Sequence, residues 1–233
     1  MPRQLAIIGS GKMGKAVAAL APEMGWDVAV ALDARSNARG AGITRDTLGG
    51  AEVAIEFTEP AAAPANIRAC LAAGCPVVVG TTGWYAELPA IRAEVERAGG
   101  SLLWAPNFAI GVSVFAELVR YAGTLLANVE GFDAHITETH HAAKKDAPSG
   151  TASLLRDNIG PALGRDVPVT SIRTGSVPGT HEVVLDAPFE QIVLRHEARD
   201  RRVFAAGALT AAKWLVGKRG VFTMSDILAG DES

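Results

Sequence analysis

Through its first half the chain alternates short apolar runs, bounded by glycine or polar residues, with longer amphipathic stretches. "LAIIG", "DVAVALD", "AEVAIEFT", "PVVVGTTG" and "SLLWAPNF" read as strands, which makes five before residue 108. Continuous rather than alternating apolar runs are what strands buried on both faces of a parallel sheet require. Between them "MGKAVAALAPEMG", "APANIRACLAAG" and "LPAIRAEVERAGG" carry helical spacing and stop at glycine. The pattern is α/β with crossover helices.

After about residue 110 the period changes. In "GFDAHITETHH" Phe132, Ala134 and Ile136 fall on one side of a strand and Asp133, His135 and Thr137 on the other. That alternation suits a mixed or antiparallel sheet with one wet face. "VPVTSIRTG", "THEVVLDAP" and "EQIVLRHEA" continue it, divided by proline and glycine turns. The closing "LTAAKWLVGKRGVFTMSDIL" reads as helical again. The expected organisation is a Rossmann-type parallel-sheet domain over residues 1–109 and 210–233, with an inserted α+β domain with a mixed sheet over 110–209.

Composition narrows the classes. The 233 residues carry a formal net charge of −3 and 48% hydrophobic residues, so no global field draws nucleic acid or an anionic membrane. Cys70 and Cys75 are the only cysteines, too few for a disulfide framework and unsuited to a zinc site, and are expected as small buried hydrophobes. "MPRQLAIIGSG" resembles neither a signal peptide nor a membrane span, and a cytoplasmic protein is expected.

Two segments carry chemistry. "LAIIGSGKMGKAVAAL" places Gly9, Gly11 and Gly14 as GxGxxG between a strand and a helix. The first glycine allows the tight turn, the second lets backbone approach a pyrophosphate, and the third lets helix pack on strand. The phosphates then meet unpaired N–H groups at a positive helix end. Asp33, at the end of the second strand, stands where an acid bonds the adenosine ribose of NAD, whereas Lys12 and Arg35 suit the 2′-phosphate of NADP. Both cofactors, NADH and NADPH, stay open.

The second segment is "ETHHAAKKDAPSGTA", residues 138–152. His140 and His141 are neighbours and enter one cavity only where the strand gives way to a loop. Lys144 follows, and Asp146, Pro148 and Ser149 read as a turn into a helix that starts near Gly150 and Thr151. Imidazole, ammonium, hydroxyl and a helix N-terminus together favour a small carboxylic acid, and a histidine can deliver a proton near neutrality. A vicinal histidine pair without cysteine or carboxylate at ligand spacing gives poor support for a metal, and no metal site is expected.

This segment is similar to the signature of the 4-hydroxy-tetrahydrodipicolinate reductase (dihydrodipicolinate reductase) family. "GSGKMG", "IEFTEP", "VVVGTTGW", "APNFAIGV", "RTGSVPGTHEV" and "FAAGALTAAKWLVGKRGVFTMSDIL" extend the resemblance along the whole chain. The resemblance implies reduction of a cyclic dicarboxylate with NAD(P)H and loss of water, on the diaminopimelate route to lysine. It also implies a homotetramer, with the second domain binding substrate and supplying subunit contacts, and hinges near residues 108–111 and 207–210. Residue by residue, His140 matches the proton donor and Lys144 its partner. His141, Ser149, Gly150 and Thr151 match groups that hold the substrate carboxylates. Gly9, Lys12, Met13, Asp33, Phe57, Thr58, Gly80, Thr82, Asn107 and Phe108 match cofactor contacts. The chain departs from the family at Glu56, where aspartate is common, at Ala142 and Ala143, often basic or polar, and in a short segment between Asp33 and Glu56. Two other readings share these residues: a related dehydrogenase or imine reductase on another carboxylate, and a non-catalytic nucleotide-binding sensor.

Overall fold

The computed structural model describes residues 2–230. The chain runs β1 (Arg3–Ile8), α1 (Lys12–Leu20), β2 (Trp26–Leu32), β3 (Val53–Glu56), α2 (Ala63–Ala73), β4 (Val77–Val79), α3 (Leu88–Ala98) and β5 (Ser101–Trp104). Then follow α4 (Ile110–Leu126), β6 (Asp133–His140), α5 (Gly150–Leu163), β7 (Val169–Arg173), β8 (Thr180–Ala187) and β9 (Glu190–Glu197). The last elements are α6 (Arg202–Leu215), β10 (Gly220–Phe222) and α7 (Met224–Ala229). Two units emerge, one taking the chain through Ala109 and again from Phe204, the other Ile110–Val203.

The first unit is built on a six-stranded sheet in the order β10-β5-β4-β3-β1-β2, every neighbouring pair parallel. Leu5, Ile7 and Ile8 of β1, Val53 to Ile55 of β3 and Val77 to Val79 of β4 are all buried, as the unbroken apolar runs demand. Each of α2 and α3 ends on a glycine in the left-handed region, Gly74 and Gly99. The free cysteines Cys70 and Cys75 belong to this core. Strand order reverses direction at β1, with β2 on one side and β3 on the other, which is the place where open α/β sheets bind ligands beyond the strand ends.

The closing segment differs from its helical reading. After α6 the chain turns through Gly217, and Val221 and Phe222 pair with Leu102 and Leu103 of β5, adding a sixth strand. A three-residue strand is too short to display a period of two, so helical spacing on either side hid it.

The second unit has a four-stranded mixed sheet, β7-β6-β8-β9, in which β6 and β7 run parallel and the other pairs antiparallel. One face is covered by α4 and α5: Phe115, Val119, Leu155 and Ile159 close on Ala134 and Ile136 of β6 and Val183 and Leu185 of β8. The inward parity of β6 continues past its apolar residues, so Glu138 and His140 share the buried face with Ala134 and Ile136.

Candidate active site

In the first unit the glycine turn lies at the head of β1. Gly9 has φ +109°, and a Cβ there would stand 2.0 Å from the Phe57 carbonyl oxygen. A Cβ on Gly14 would stand 1.8 Å from the Gly9 carbonyl oxygen, so the first turn of α1 is pressed onto the glycine turn itself. Gly11 is different: it is the N-cap of α1, no side chain caps that helix, and nothing lies within 4 Å of where its Cβ would be. Its side is open and the first N–H groups of α1 are available to an anion.

A cavity of about 460 Å³ opens there, lined by Gly9, Gly11, Asp33, Phe57 and Thr58 among others. Asp33 Oδ1 accepts from the Ser36 amide (2.8 Å), the Ser36 hydroxyl (2.9 Å) and the Arg35 amide (2.9 Å). Those bonds, the Ser36 pair first, hold its carboxyl below the usual range. Arg39, in the left-handed region at φ +51°, is on the cavity wall.

Behind that wall Glu56 is fully buried. Its Oε1 accepts from the Thr58 hydroxyl and from Asn66 Nδ2 (3.1 Å). Asn66 Oδ1 accepts from Asn37 Nδ2 (2.8 Å), and Asn37 Oδ1 accepts from the Gly42 amide (3.1 Å). This relay pins the segment that carries Asp33 and Arg39 to the end of β3. Burial pushes the Glu56 carboxyl up, against the opposing hydrogen bonds from Thr58, Thr81 and Asn66.

The second unit holds an ionic cluster that strand register assembles. Glu138 lies beside Ser171 on β7 and His181 on β8, and His140 lies beside Arg173. Glu138 Oε2 meets His140 Nδ1, and Glu138 Oε1 accepts from Arg173 Nη2 (2.6 Å), which also donates to the Asp146 carbonyl (2.6 Å). Burial alone would raise the Glu138 carboxyl, yet the bonds from Arg173, Ser171 and His140 bring it down to about 2. His140 is lowered, first by burial, with Lys144 and Arg173 adding to that and Glu138 opposing it. His181 is held at about 4, chiefly by burial. Its ring is 5.1 Å from that of His140, edge to face, and its Nε2 is 3.1 Å from Ser149 Oγ. Lys144 pairs with Asp146 at 2.9 Å.

Ligand atoms of Glu138, His140 and His181 lie within 4.8 Å of one another, so a carboxylate does stand at ligand distance from the histidine pair's first member. The same carboxylate already bears the Arg173 guanidinium, a fixed positive charge that opposes a divalent cation. The arrangement favours an anion with two or more oxygens: Lys144 and the start of α5 supply donors and positive potential.

Two family descriptions divide the chain between them: "Dihydrodipicolinate reductase, N-terminus" matches residues 3–108 and "Dihydrodipicolinate reductase, C-terminus" matches residues 111–228. The chain belongs to the dihydrodipicolinate reductase family. The 4-hydroxy-tetrahydrodipicolinate reductase of Christiangramia forsetii is 33% identical over 239 residues, covering 97% of each chain. That of Anaeromyxobacter dehalogenans is 38% identical over 202 residues, 78% of this chain and 74% of its own. Among solved structures, a dipicolinate-bound dihydrodipicolinate reductase from Paenisporosarcina sp. TG-14 superposes with a TM-score of 0.80 over 96% of this chain and 98% of its own, at 21% identity. The fold is therefore that of this reductase family.

Within that frame, Gly9, Gly11, Asp33, Phe57 and Thr58 line the dinucleotide-type cavity, whereas Lys12, Met13, Gly14, Gly80, Thr82, Asn107 and Phe108 do not. Gly80 and Phe108 act one step back: a Cβ on Gly80 would be 1.9 Å from the Phe57 ring, and Phe108 meets that ring edge-on at 6.0 Å. Asn107 Oδ1 accepts from the Ala109 amide (2.8 Å). Arg35 and Lys12 leave the cavity wall to Arg39, which sequence spacing did not single out. In the second unit Ser149 is buried as the N-cap of α5, accepting from Ala152 N, while Gly150 is exposed at the first turn and His141 and Thr151 are half-buried. The sequence pattern does not single out Glu138, Arg173 or His181. The alternation of Glu138 with His140 two residues on was a signal for the first; the other two depend on strand pairing.

Proposed function

We propose that the chain reduces 4-hydroxy-tetrahydrodipicolinate to tetrahydrodipicolinate with loss of water, in the cytoplasm, on the diaminopimelate route to lysine. Relatedness over 97% of both chains to a reductase of that name carries this reading. A nicotinamide dinucleotide supplies the hydride. The open Cβ side of Gly11 and the uncapped start of α1 suit its pyrophosphate, with Asp33 on the ribose. Arg39 on the same cavity wall suits a 2′-phosphate, which supports use of NADPH as well as NADH; Arg39→Ala is expected to raise KM for NADPH and leave that for NADH within about twofold.

His140, at the end of β6, supplies the proton, with Lys144 in the loop that follows it. His141, Gly150 and Thr151 bind carboxylate oxygens, and Ser149 holds the helix start that presents them. The first unit binds the dinucleotide; the second binds the dicarboxylate and carries the subunit contacts of a homotetramer. Val114, Leu118, Tyr121 and Leu125, all exposed along one stripe of α4, and the fully exposed Phe189 supply apolar surface for such contacts. No described helix is long and apolar enough to cross a membrane.

The decisive experiment is NADH or NADPH oxidation by the purified chain on the condensation product of pyruvate and aspartate semialdehyde. Turnover is expected, and His140→Ala is expected to reduce kcat by about 10²-fold or more while leaving dinucleotide affinity unchanged. No oxidation with the intact chain sinks the reading.

A further inference from the structure

His140 is not held by its backbone alone. Its Nδ1 edge is occupied by Glu138 Oε2, and the other oxygen of that carboxylate is clamped by Arg173 Nη2 at 2.6 Å. Arg173 is itself fixed at two further points, the Ile172 carbonyl (2.8 Å) and the Asp146 carbonyl (2.6 Å). The Nε2 edge lies beside Gly179, where a Cβ would come within 3.0 Å of the nitrogen and where φ of +157° disfavours any side chain. One nitrogen is therefore committed to a carboxylate and the other has no side chain of residue 179 beside it.

On the reading that His140 is the proton donor, we propose that Glu138, braced by Arg173, is a positioning residue that keeps a proton on His140 Nδ1 and reserves Nε2–H for delivery to the substrate. Neutral imidazole carries one proton, and a carboxylate at Nδ1 selects the tautomer that bears it there. When the ring is charged, the same carboxylate stabilises it and Nε2–H is the donor that remains. After delivery His140 is left neutral with its proton on Nδ1, ready to take up another at Nε2 from water. The groups around the ring are Glu138 on its own strand, Arg173 on β7, His181 on β8, and Lys144 and Asp146 in the following loop. Of these only Glu138 is a carboxylate in contact with the ring. Arg173 keeps Oε1 occupied so that Glu138 cannot swing away.

The test uses the full-length enzyme with its substrate and NADH. Glu138→Gln is expected to lower kcat by about 10²-fold, with KM for the dicarboxylate and the dinucleotide changed less than about threefold. Removing the carboxylate makes the imidazolium less stable, so the limb on which kcat/KM falls with rising pH is expected to move to lower pH by about one unit. Glu138→Asp, which keeps the charge, is expected to restore part of kcat and return that limb toward its original position. A folded Glu138→Gln enzyme with unchanged kcat and an unmoved limb overturns the proposal. Should that variant not fold, ¹⁵N-histidine spectra of the wild-type enzyme decide: neutral His140 is expected with its proton on Nδ1, and a proton on Nε2 overturns the assignment. A wild-type enzyme that does not reduce the substrate at all overturns the proposed function first and this role with it, whereas turnover by wild type with an indifferent Glu138→Gln overturns this role alone.

Discussion

Glu56 and Glu138 are both glutamates with no exposure, each near the C-terminal end of a strand and each beside the residues expected to do chemistry. Their surroundings push them in opposite directions. Around Glu56 stand two hydroxyls and an amide, all neutral, and burial wins: the carboxyl is raised. Around Glu138 stand a guanidinium, an imidazole and a hydroxyl, and the partners win: it falls to about 2. Burial penalises a charge; a fixed opposite charge decides whether the charge survives. In the first unit the charged groups of the cavity wall, Asp33 and Arg39, stay toward solvent, and the buried Glu56 behind them is met by neutral groups alone. The second keeps ions in its interior, where Glu138 can bias a histidine.

The harshest way to break the contrast is to remove the cation. Arg173→Met keeps much of the side chain's bulk but leaves Glu138 buried with only His140 and Ser171, and such unpaired buried charges typically cost about 3–5 kcal/mol. Urea denaturation at neutral pH is expected to register a loss of that size. Glu56 has no cation to lose, and Asn66→Leu, which deletes its amide partner, is expected to cost about 1–3 kcal/mol. Equal losses at the two sites would erase the distinction.

Acid sharpens it. Glu138 is depressed from 4.5 to about 2 in the folded chain, so its contribution is present above pH 4.5 and is lost as pH falls toward 2; at about 1.4 kcal/mol per unit the amount is on the order of 3 kcal/mol. Glu56 is raised, so folding is favoured below pH 4.5, where the group is protonated in both states, and that advantage is lost as pH rises through its folded value. The stability difference between wild type and Glu138→Gln is therefore expected to shrink on acidification from pH 5 to 3, while that between wild type and Glu56→Gln shifts in favour of wild type. Parallel slopes in calorimetric or urea titrations would contradict the assignment of charge to the two sites.

How far each site was legible follows from the same contrast. The glycine turn could be read because its spacing lies within one strand, turn and helix: Gly14 is pressed onto Gly9 itself, although the Phe57 carbonyl that crowds Gly9 comes from beyond β3. Asp33 was legible for the same reason, at the end of the next strand. Arg39 was not, because a left-handed arginine in a short irregular segment leaves no periodic trace. In the second unit His140, Lys144 and Ser149 lie in one run of sequence, whereas Arg173 and His181 reach Glu138 only through the register of β6 with β7 and β8. Strand β10 escaped for a related reason, since its identity depends on pairing with β5.

A smaller effect separates structural from ligand-facing glycine. Gly14→Ala pushes a Cβ to 1.8 Å from a backbone oxygen, and overpacking of this kind is expected to cost about 1–3 kcal/mol. Gly11→Ala meets nothing within 4 Å and is expected to cost under about 1 kcal/mol in stability while weakening dinucleotide binding measured by fluorescence titration. A Gly11→Ala enzyme that binds NADH as tightly as wild type would remove Gly11 from the binding surface and leave the glycine turn a purely structural device.

A change of similar size bears on Ser149, whose hydroxyl has two claims upon it. It accepts from Ala152 N at 3.2 Å as the cap of α5, and it lies 3.1 Å from His181 Nε2. Ser149→Ala removes both and is expected to cost about 1 kcal/mol by thermal or urea denaturation. With His181 held at about 4, the ring stays neutral through the physiological range in either enzyme, so no new pH dependence is expected above pH 5. Turnover then separates the roles. If the hydroxyl also bears on the dicarboxylate, through the helix start it fixes, KM for that substrate rises while KM for NADH does not. If KM is unmoved and only stability falls, Ser149 is a cap alone, and the proposed carboxylate contacts rest on His141, Gly150 and Thr151.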